Sequence, residues 1–310
     1  MGVVSANLVV SVPTAQLADD IQPAPAGVEV IVWPMDGPPP RPRIDVVVLP
    51  YMSLTDAVPL LDQVETRLVQ SQSIGYDGIE DILPPTYTFA NASSVHETST
   101  AELAVTLALA AQRRVPAFVR AQVEGRWAPE VAESFADRRV LLLGYGGIGK
   151  AIEARLAGFE VELVRVASRR REEDGVTIHG VDELPELLPH AEIVMASLPG
   201  GDATRHLVDD GFLRALPDGA LIVNVGRGPL IDTDALVDHA GRGRIRAALD
   251  VTDPEPLPAG HPLWSTDGVL IVPHVGGASS AMRPRIARLV RRQMERMSRG
   301  EAPLNVVLGG

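Results

Sequence analysis

Residues Val140–Gly158 read VLLLGYGGIGKAIEARLAG. Four apolar residues, a glycine-rich turn and a helix-like run follow one another without a break. Gly144-Tyr145-Gly146-Gly147-Ile148-Gly149 is G-x-G-x-x-G, and it lies where a strand hands over to a helix. The spacing has a physical reading. Gly144 makes the tight turn, Gly146 lets backbone approach a pyrophosphate, and Gly149 lets helix and strand pack closely. The helix N-terminus adds N–H donors and a positive dipole end. The plainer alternative is a glycine-rich turn without a ligand.

The pattern extends outward on the C-terminal side. Val161–Ala167, Ile193–Leu198, Leu221–Val225, Ala247–Val251 and Val269–Val272 are strand candidates, and helical segments lie between most of them. Alternating strands and helices predict a doubly wound α/β domain with a parallel sheet. Toward the N-terminus, Leu8–Val12, Val28–Trp33, Ile44–Leu49, Arg67–Gln72 and Thr88–Asn91 read as shorter strands. The proline-rich stretch Pro34–Arg43 reads as a stiff surface connection. A helix is expected from Ser99, where Ser99 and Glu102 fit a capping box. Its run is apolar almost all round, which predicts burial between two domains, and a helix this greasy also leads to the expectation of a homodimer. Val115–Ala136, with Trp127, is expected to be loop. Ser279–Arg299 reads as helix and Pro303–Leu308 as an edge strand.

Composition sets limits. A chain of 310 residues suggests about two domains. Apolar residues at 45% and charged residues at 22% exclude disorder throughout. No cysteine is present, so disulfides, thiolate metal sites and a cysteine nucleophile are excluded, and no metal is expected. A net charge of −12 argues against nucleic-acid or anionic-membrane partners. No apolar run is long enough to span a bilayer. Met1–Asn7 lacks a basic secretory segment, which leads to the expectation of a cytoplasmic protein.

The end of the second strand bears on cofactor choice. An NAD-binding fold places Asp or Glu there to bond the ribose 2′-OH. This chain reads Val166-Ala167-Ser168-Arg169-Arg170-Arg171. A carboxylate would repel a 2′-phosphate, whereas arginine grips it with forked donors. NADP(H) is therefore favoured over NAD(H), with Ser168 and Arg169 as primary contacts. The alternatives are a solvated basic turn and an Asp174 that curls back to the ribose.

Three later strands each deliver a polar residue just past the carboxyl end: Arg227, Glu255 and His274. Ligands in open α/β sheets bind at that edge. Such a trio brings a proton donor and an anion anchor to one crevice. An imidazole can give the proton, a carboxylate can hold it charged, and a guanidinium can bind the substrate carboxylate.

LVQSQSIGYDGIE (68–80), TAELAVTLALA (100–110), LIVNVGRGPLIDTDAL (221–236), AALDVTDPEPLPAGHPLW (247–264) and VPHVGGAS (272–279) join the glycine motif in one resemblance. The chain resembles the D-isomer-specific 2-hydroxyacid dehydrogenases, most nearly their glyoxylate/hydroxypyruvate reductase branch. The resemblance implies a Rossmann nucleotide-binding domain over 95–282. It implies a smaller flavodoxin-like substrate domain over 1–94 and 283–310. It implies Arg227, Glu255 and His274 as catalytic residues, with Ile74, Gly75 and Arg227 binding substrate. The cofactor set is Gly144, Gly146, Gly147, Ile148, Gly149, Ser168, Arg169, Leu198, Pro199, Val225, Asp250 and Gly276. Tyr51, Met52 and Trp264 fit either a substrate pocket or core packing. His96, His179, His190, His206, His239 and His261 are read as structural. Two other functions fit the same residues: a dinucleotide-sensing regulator of the corepressor kind, and a formate- or phosphite-oxidising relative. Glu255 counts against formate oxidation, because formate dehydrogenases pair the histidine with glutamine.

Overall fold

The computed structural model describes residues 8–309, so Met1–Asn7 lies outside the described residues. The strands are β1 (Leu8–Val12), β2 (Val28–Val32), β3 (Val46–Val48), β4 (Leu68–Gln70), β5 (Phe89–Ala90), β6 (Arg139–Leu143) and β7 (Glu162–Ala167). There follow β8 (Arg171–Glu173), β9 (Val176–Gly180), β10 (Ile193–Ala196), β11 (Ala220–Asn224), β12 (Ile245–Leu249), β13 (Val269–Ile271) and β14 (Val306–Leu308). The helices are α1 (Ala15–Asp20), α2 (Leu54–Ala57), α3 (Ile79–Ile82), α4 (Glu97–Gln112), α5 (Val115–Val123), α6 (Gly147–Leu156), α7 (Leu184–Leu187), α8 (Asp210–Ala215), α9 (Thr233–Gly241) and α10 (Met282–Ser298).

The chain divides into two units. One is Met1–His96 with Ser279–Gly310, and the other is Glu97–Ala278. These breaks fall within a few residues of the 94/95 and 282/283 expected from the sequence.

The larger unit holds an eight-stranded sheet in the order β13-β12-β11-β10-β6-β7-β9-β8. Every pair is parallel except β8 with β9. Alternate residues of β6 feed opposite cores. Leu141 and Leu143 pack with Val194, Ala196 and Ile222 on one face; Val140 and Leu142 pack with Ala104, Ile152 and Met195 on the other. That two-sided burial explains why the strands are runs of Val, Ile and Leu instead of alternating patterns. The chain leaves β6 toward β7 and β9, then returns to β10 on the other side. A crevice forms at such a reversal, at the carboxyl ends of β6 and β10.

The smaller unit has the order β14-β5-β4-β3-β1-β2. Strands 2-1-3-4-5 are parallel, which is the flavodoxin-like order, and β14 adds an antiparallel edge. Helix α10 buries Ile286, Val290 and Met294 against Val10, Val46 and Leu68.

Four expectations are corrected. Helix α4 begins at Glu97, so Ser99 lies inside its first turn and does not cap it. An acidic side chain at that position suits the positive helix end. The apolar character of α4 is met within its own unit: Ala101, Ala104, Val105, Leu107 and Ala108 pack on the sheet and on α6. It therefore gives no reason for a second copy. Val115–Val123 is a helix with Pro116 in its first turn, where a missing N–H costs nothing. Finally, residues 171–180 form a hairpin whose turn is Asp174-Gly175, both at positive φ (52° and 77°). Asp174 is thus a turn residue.

Gly149 shows how tightly helix and strand meet. A Cβ there would stand 2.1 Å from the Gly144 carbonyl oxygen. Gly149→Ala should lower stability by about 1–3 kcal/mol, the usual cost of overpacking, and weaken dinucleotide binding. Thermal melting and titration of cofactor fluorescence measure the two effects; an alanine variant with unchanged melting and affinity would refute the packing argument.

Candidate active site

The carboxyl edge of the larger sheet is built from backbone meeting backbone. Gly144 turns at φ +109°, with its N–H on the Val166 carbonyl (2.9 Å). A Cβ on Gly144 would lie 3.0–3.1 Å from Ser197 and Leu198 atoms; one on Gly146 would meet nothing within 4 Å. The first glycine is therefore required by packing, and open space lies beside the second. Helix α6 starts at Gly147 and aims its unbonded N–H groups at that space. This arrangement fits a dinucleotide pyrophosphate. Gly144, Gly146, Gly147, Ile148 and Gly149 would hold it, and Leu198 and Pro199, just past β10, flank the same edge.

Past β11, Gly226-Arg227-Gly228 makes a turn held by Asn224. This fully buried amide accepts from Gly226 N–H (3.0 Å) and donates to the Arg227 carbonyl (2.9 Å). A Cβ on Gly228 would lie 1.9 Å from the Thr252 carbonyl oxygen, so the Arg227 turn rests directly on the loop that carries Glu255. Asn224 was not singled out from the sequence; a polar residue ending an otherwise apolar strand was the available signal. The Arg227 guanidinium donates to the Gly226 carbonyl (2.8 Å).

Past β13, His274 adopts the left-handed conformation, φ 52°. Asp250, 3% exposed, holds it there. The Asp250 carbonyl accepts from His274 N–H (2.7 Å), and its carboxylate accepts from Val275 N–H (2.7 Å) and Gly276 N–H (2.9 Å). Three successive amides thus bind one residue. Burial raises the Asp250 carboxyl above its ordinary value, and the two amide bonds and the His274 charge offset only part of this.

His274 and Glu255 meet: Nδ1 to Oε1 is 2.5 Å, with the side chains 32% and 39% exposed. The bond to Glu255 raises the imidazole's proton affinity. Burial opposes it, the charges of Glu255 and Asp250 add to it, and Arg227 subtracts from it; the net direction is upward. For Glu255, burial pushes up, but the His274 bond and charge, the Thr252 amide and the Arg227 charge outweigh it and the net is downward. Arg227 therefore acts electrostatically on both partners. With Nδ1 committed to Glu255, Nε2 is the atom left to exchange a proton.

The arginine run is divided. Arg170 pairs with Glu183 (2.6 Å) and Arg171 with Glu173 (3.2 Å). Arg169 is exposed, and among the described residues it has no carboxylate partner. Ser168 is exposed beside it. In the smaller unit, no acceptor within the described residues takes the N–H of Ile74 or Gly75. Tyr51 stacks on His96 at 5.8 Å, while Met52 and Trp264 are about half exposed, at 56% and 53%. A cavity of about 460 Å³ lies at the opposite, amino edge of the larger sheet, lined by Gln112, Arg138, Gly219 and Arg246. None of the nominated residues lines it. Among the described residues no cluster of three metal-ligating side chains occurs, and no helix is long and apolar enough to cross a membrane.

A glycine-cradled nucleotide edge beside a histidine–carboxylate pair and an arginine defines a nicotinamide-dependent dehydrogenase. The comparisons agree. Residues 105–276 match the family model described as D-isomer specific 2-hydroxyacid dehydrogenase, NAD binding domain. A glyoxylate reductase of Aeropyrum pernix is 32% identical over 303 residues, covering 90% of this chain and 89% of that protein. A D-isomer specific 2-hydroxyacid dehydrogenase of Xanthobacter autotrophicus, solved with NADPH and MES, superposes with a TM-score of 0.82 at 29% identity, covering 97% and 98% of the two chains. An NADPH-dependent glyoxylate/hydroxypyruvate reductase of Sinorhizobium meliloti, solved with citrate, gives 0.83 at 27% identity over 97% of each. The chain belongs to the D-isomer specific 2-hydroxyacid dehydrogenase family, and it is an NAD(P)-dependent dehydrogenase.

The charge pairing gives a signed pH dependence. If His274 gives the proton in a reduction, its protonated form is the active one. Reductive kcat/KM should hold at low pH and fall as pH rises through the elevated His274 pKa. Glu255→Gln removes the main cause of that elevation, so the fall should move to lower pH. His274→Ala should cost roughly 10²–10⁴-fold in kcat, with cofactor affinity nearly unchanged. Initial-rate pH profiles of the three proteins test this; superimposable profiles for wild type and Glu255→Gln would reduce Glu255 to a loop acid.

Proposed function

We propose that this protein reduces a small 2-oxo acid of the glyoxylate or hydroxypyruvate type to the 2-hydroxy acid, with NADPH as the preferred donor. The observation that carries the reading is the His274–Glu255 bond beside Arg227 at the nucleotide edge. When bound, the nicotinamide supplies the hydride, and the protein's part is to position and to protonate. Arg227 binds the substrate carboxylate and polarises the carbonyl. His274 delivers its Nε2 proton to the carbonyl oxygen as that oxygen gains charge, and Glu255 keeps the ring oriented and charged beforehand. Ile74 and Gly75 contribute backbone N–H groups to the carboxylate. Asp250 and the Val225 carbonyl take the nicotinamide carboxamide, and Gly276 keeps the loop close.

The preference for NADPH is supported by Arg169, whose guanidinium no carboxylate among the described residues neutralises, and by the NADPH with which the Xanthobacter relative was solved. A 2′-phosphate gripped by Arg169 and Ser168 should favour NADPH by about tenfold or more; exposure and salt screening set the lower figure. A panel of glyoxylate, hydroxypyruvate and phenylpyruvate run with both cofactors tests substrate and cofactor together. Arg169→Ala should raise KM for NADPH and spare NADH. Absence of turnover with every 2-oxo acid would defeat the reading, and equal kcat/KM for the two cofactors would defeat its cofactor half.

A homodimer is part of the proposal. Its support is not α4 but the surface that follows it. Val119, Val123, Trp127 and Val131 are 52%, 84%, 96% and 99% exposed, a concentration of apolar area that solvent does not favour. Sedimentation at micromolar concentration should show a dimer, and Trp127→Ser should shift it toward monomer. A wild-type monomer at that concentration would rule the dimer out.

A further inference from the structure

The loop after β4 rests on a buried polar scaffold built within the smaller unit. Among the described residues no acceptor takes the two consecutive N–H groups of Ile74 and Gly75. Backbone donors of that kind recognise an anion only if the peptide planes are fixed. The plane that carries the Ile74 N–H is held at the Ser73 carbonyl by the Ala92 N–H (2.9 Å), and side chains hold the peptides on either side of it. Asn91, 7% exposed, donates from Nδ2 to the Ile74 carbonyl (2.9 Å), so it holds the very peptide plane that carries the Gly75 N–H. Its Oδ1 accepts from Ser93 N–H (3.1 Å). His96, 5% exposed, contacts the Gln72 carbonyl through Nε2 at 2.6 Å. Gln72 donates to the Leu49 carbonyl (2.8 Å).

The scaffold continues inward. Gln70 donates to the carbonyls of Ser71 (2.8 Å) and Asn91 (3.0 Å), and its Oε1 accepts from fully buried Gln293 of α10 (2.7 Å). Gln293 also exchanges bonds with the Leu304 backbone, donating and accepting at 2.9 Å. A buried network with its members satisfied is rigid, and its cost is recovered only if every partner is present.

We propose that Asn91 and His96 are positioning residues for the substrate carboxylate: they lock the Gln72–Gly75 backbone so that the Ile74 and Gly75 N–H groups form a preset anion cradle. This rests on the 2-oxo acid reading. It adds two residues that touch no substrate, and it assigns His96 more than a structural place.

The test must not depend on turnover. Oxamate is the probe, a carboxylate analogue that is not reduced. In ¹⁵N-labelled protein with saturating NADPH, oxamate should shift the Ile74 and Gly75 amide resonances. Asn91→Ala should raise the oxamate Kd about tenfold, the worth of one lost bond of this kind, and leave the NADPH Kd unchanged. Asn91→Asp, which keeps the Ser93 acceptor but loses the donor, should behave alike. His96→Leu should weaken oxamate in the same way, and His96→Gln, which can still donate to the Gln72 carbonyl, should recover most of it. In steady state the loss should fall on KM for the 2-oxo acid more than on kcat. An oxamate Kd within twofold of wild type in folded Asn91→Ala and His96→Leu would overturn the proposal. So would an equal weakening of NADPH and oxamate, because that pattern marks general damage. Failure of the broader reading looks different: oxamate binding responds as predicted, yet no 2-oxo acid turns over.

Discussion

Backbone-to-backbone contact at the carboxyl edge of the larger sheet is the constraint on which the site depends. Gly149 lies against the Gly144 carbonyl and Gly228 against the Thr252 carbonyl, at distances no side chain could share. The first contact seats α6 on the strand, so that its amino end opens toward a ligand. The second presses the Arg227 turn onto the Glu255 loop. Neither contact binds anything. Their effect is to bring charged side chains from separate strands into one electrostatic neighbourhood.

Within that neighbourhood, polar groups are layered. Glu255 sets the imidazole's charge, Asp250 sets its backbone through three successive amides, and Asn224 sets the turn of Arg227. The outer members touch solvent; Asp250 and Asn224 are buried. Burial suits their work, since a low-dielectric setting strengthens the bonds that hold a loop in an unfavourable conformation such as the positive φ of His274.

Much of this was legible in the sequence, for a physical reason. Buried parallel strands must be apolar, so polar residues just past each strand stand out: Arg227 and His274 follow theirs closely, and Glu255 lies in the short loop after its own. The glycine spacing was legible because only glycine tolerates those approaches. What escaped was of another kind. The hairpin over 171–180 carries few apolar residues, and its signal was the single dipeptide Asp174-Gly175, a turn pair suited to positive φ. The start of α4 escaped because Ser99 imitates a cap from inside the first turn. Asn224 and Asn91 escaped because a buried amide has no periodic signature. Its role comes from partners such as Ile74 and Arg227, which only the folded chain brings within reach.

The division of the chain also dictates an order of assembly. The larger unit is one uninterrupted segment, Glu97–Ala278, whereas the smaller unit draws on both sides of it. A nascent chain emerging from the ribosome completes the middle before the first part has its last helix and edge strand. Until α10 arrives, Val10, Val46 and Leu68 lack the cover that Ile286, Val290 and Met294 provide. The nucleotide-cradling half can therefore mature during translation. The other half must wait until α10 and β14 have been made, held meanwhile as an incomplete sheet that is exposed to chaperones and to aggregation.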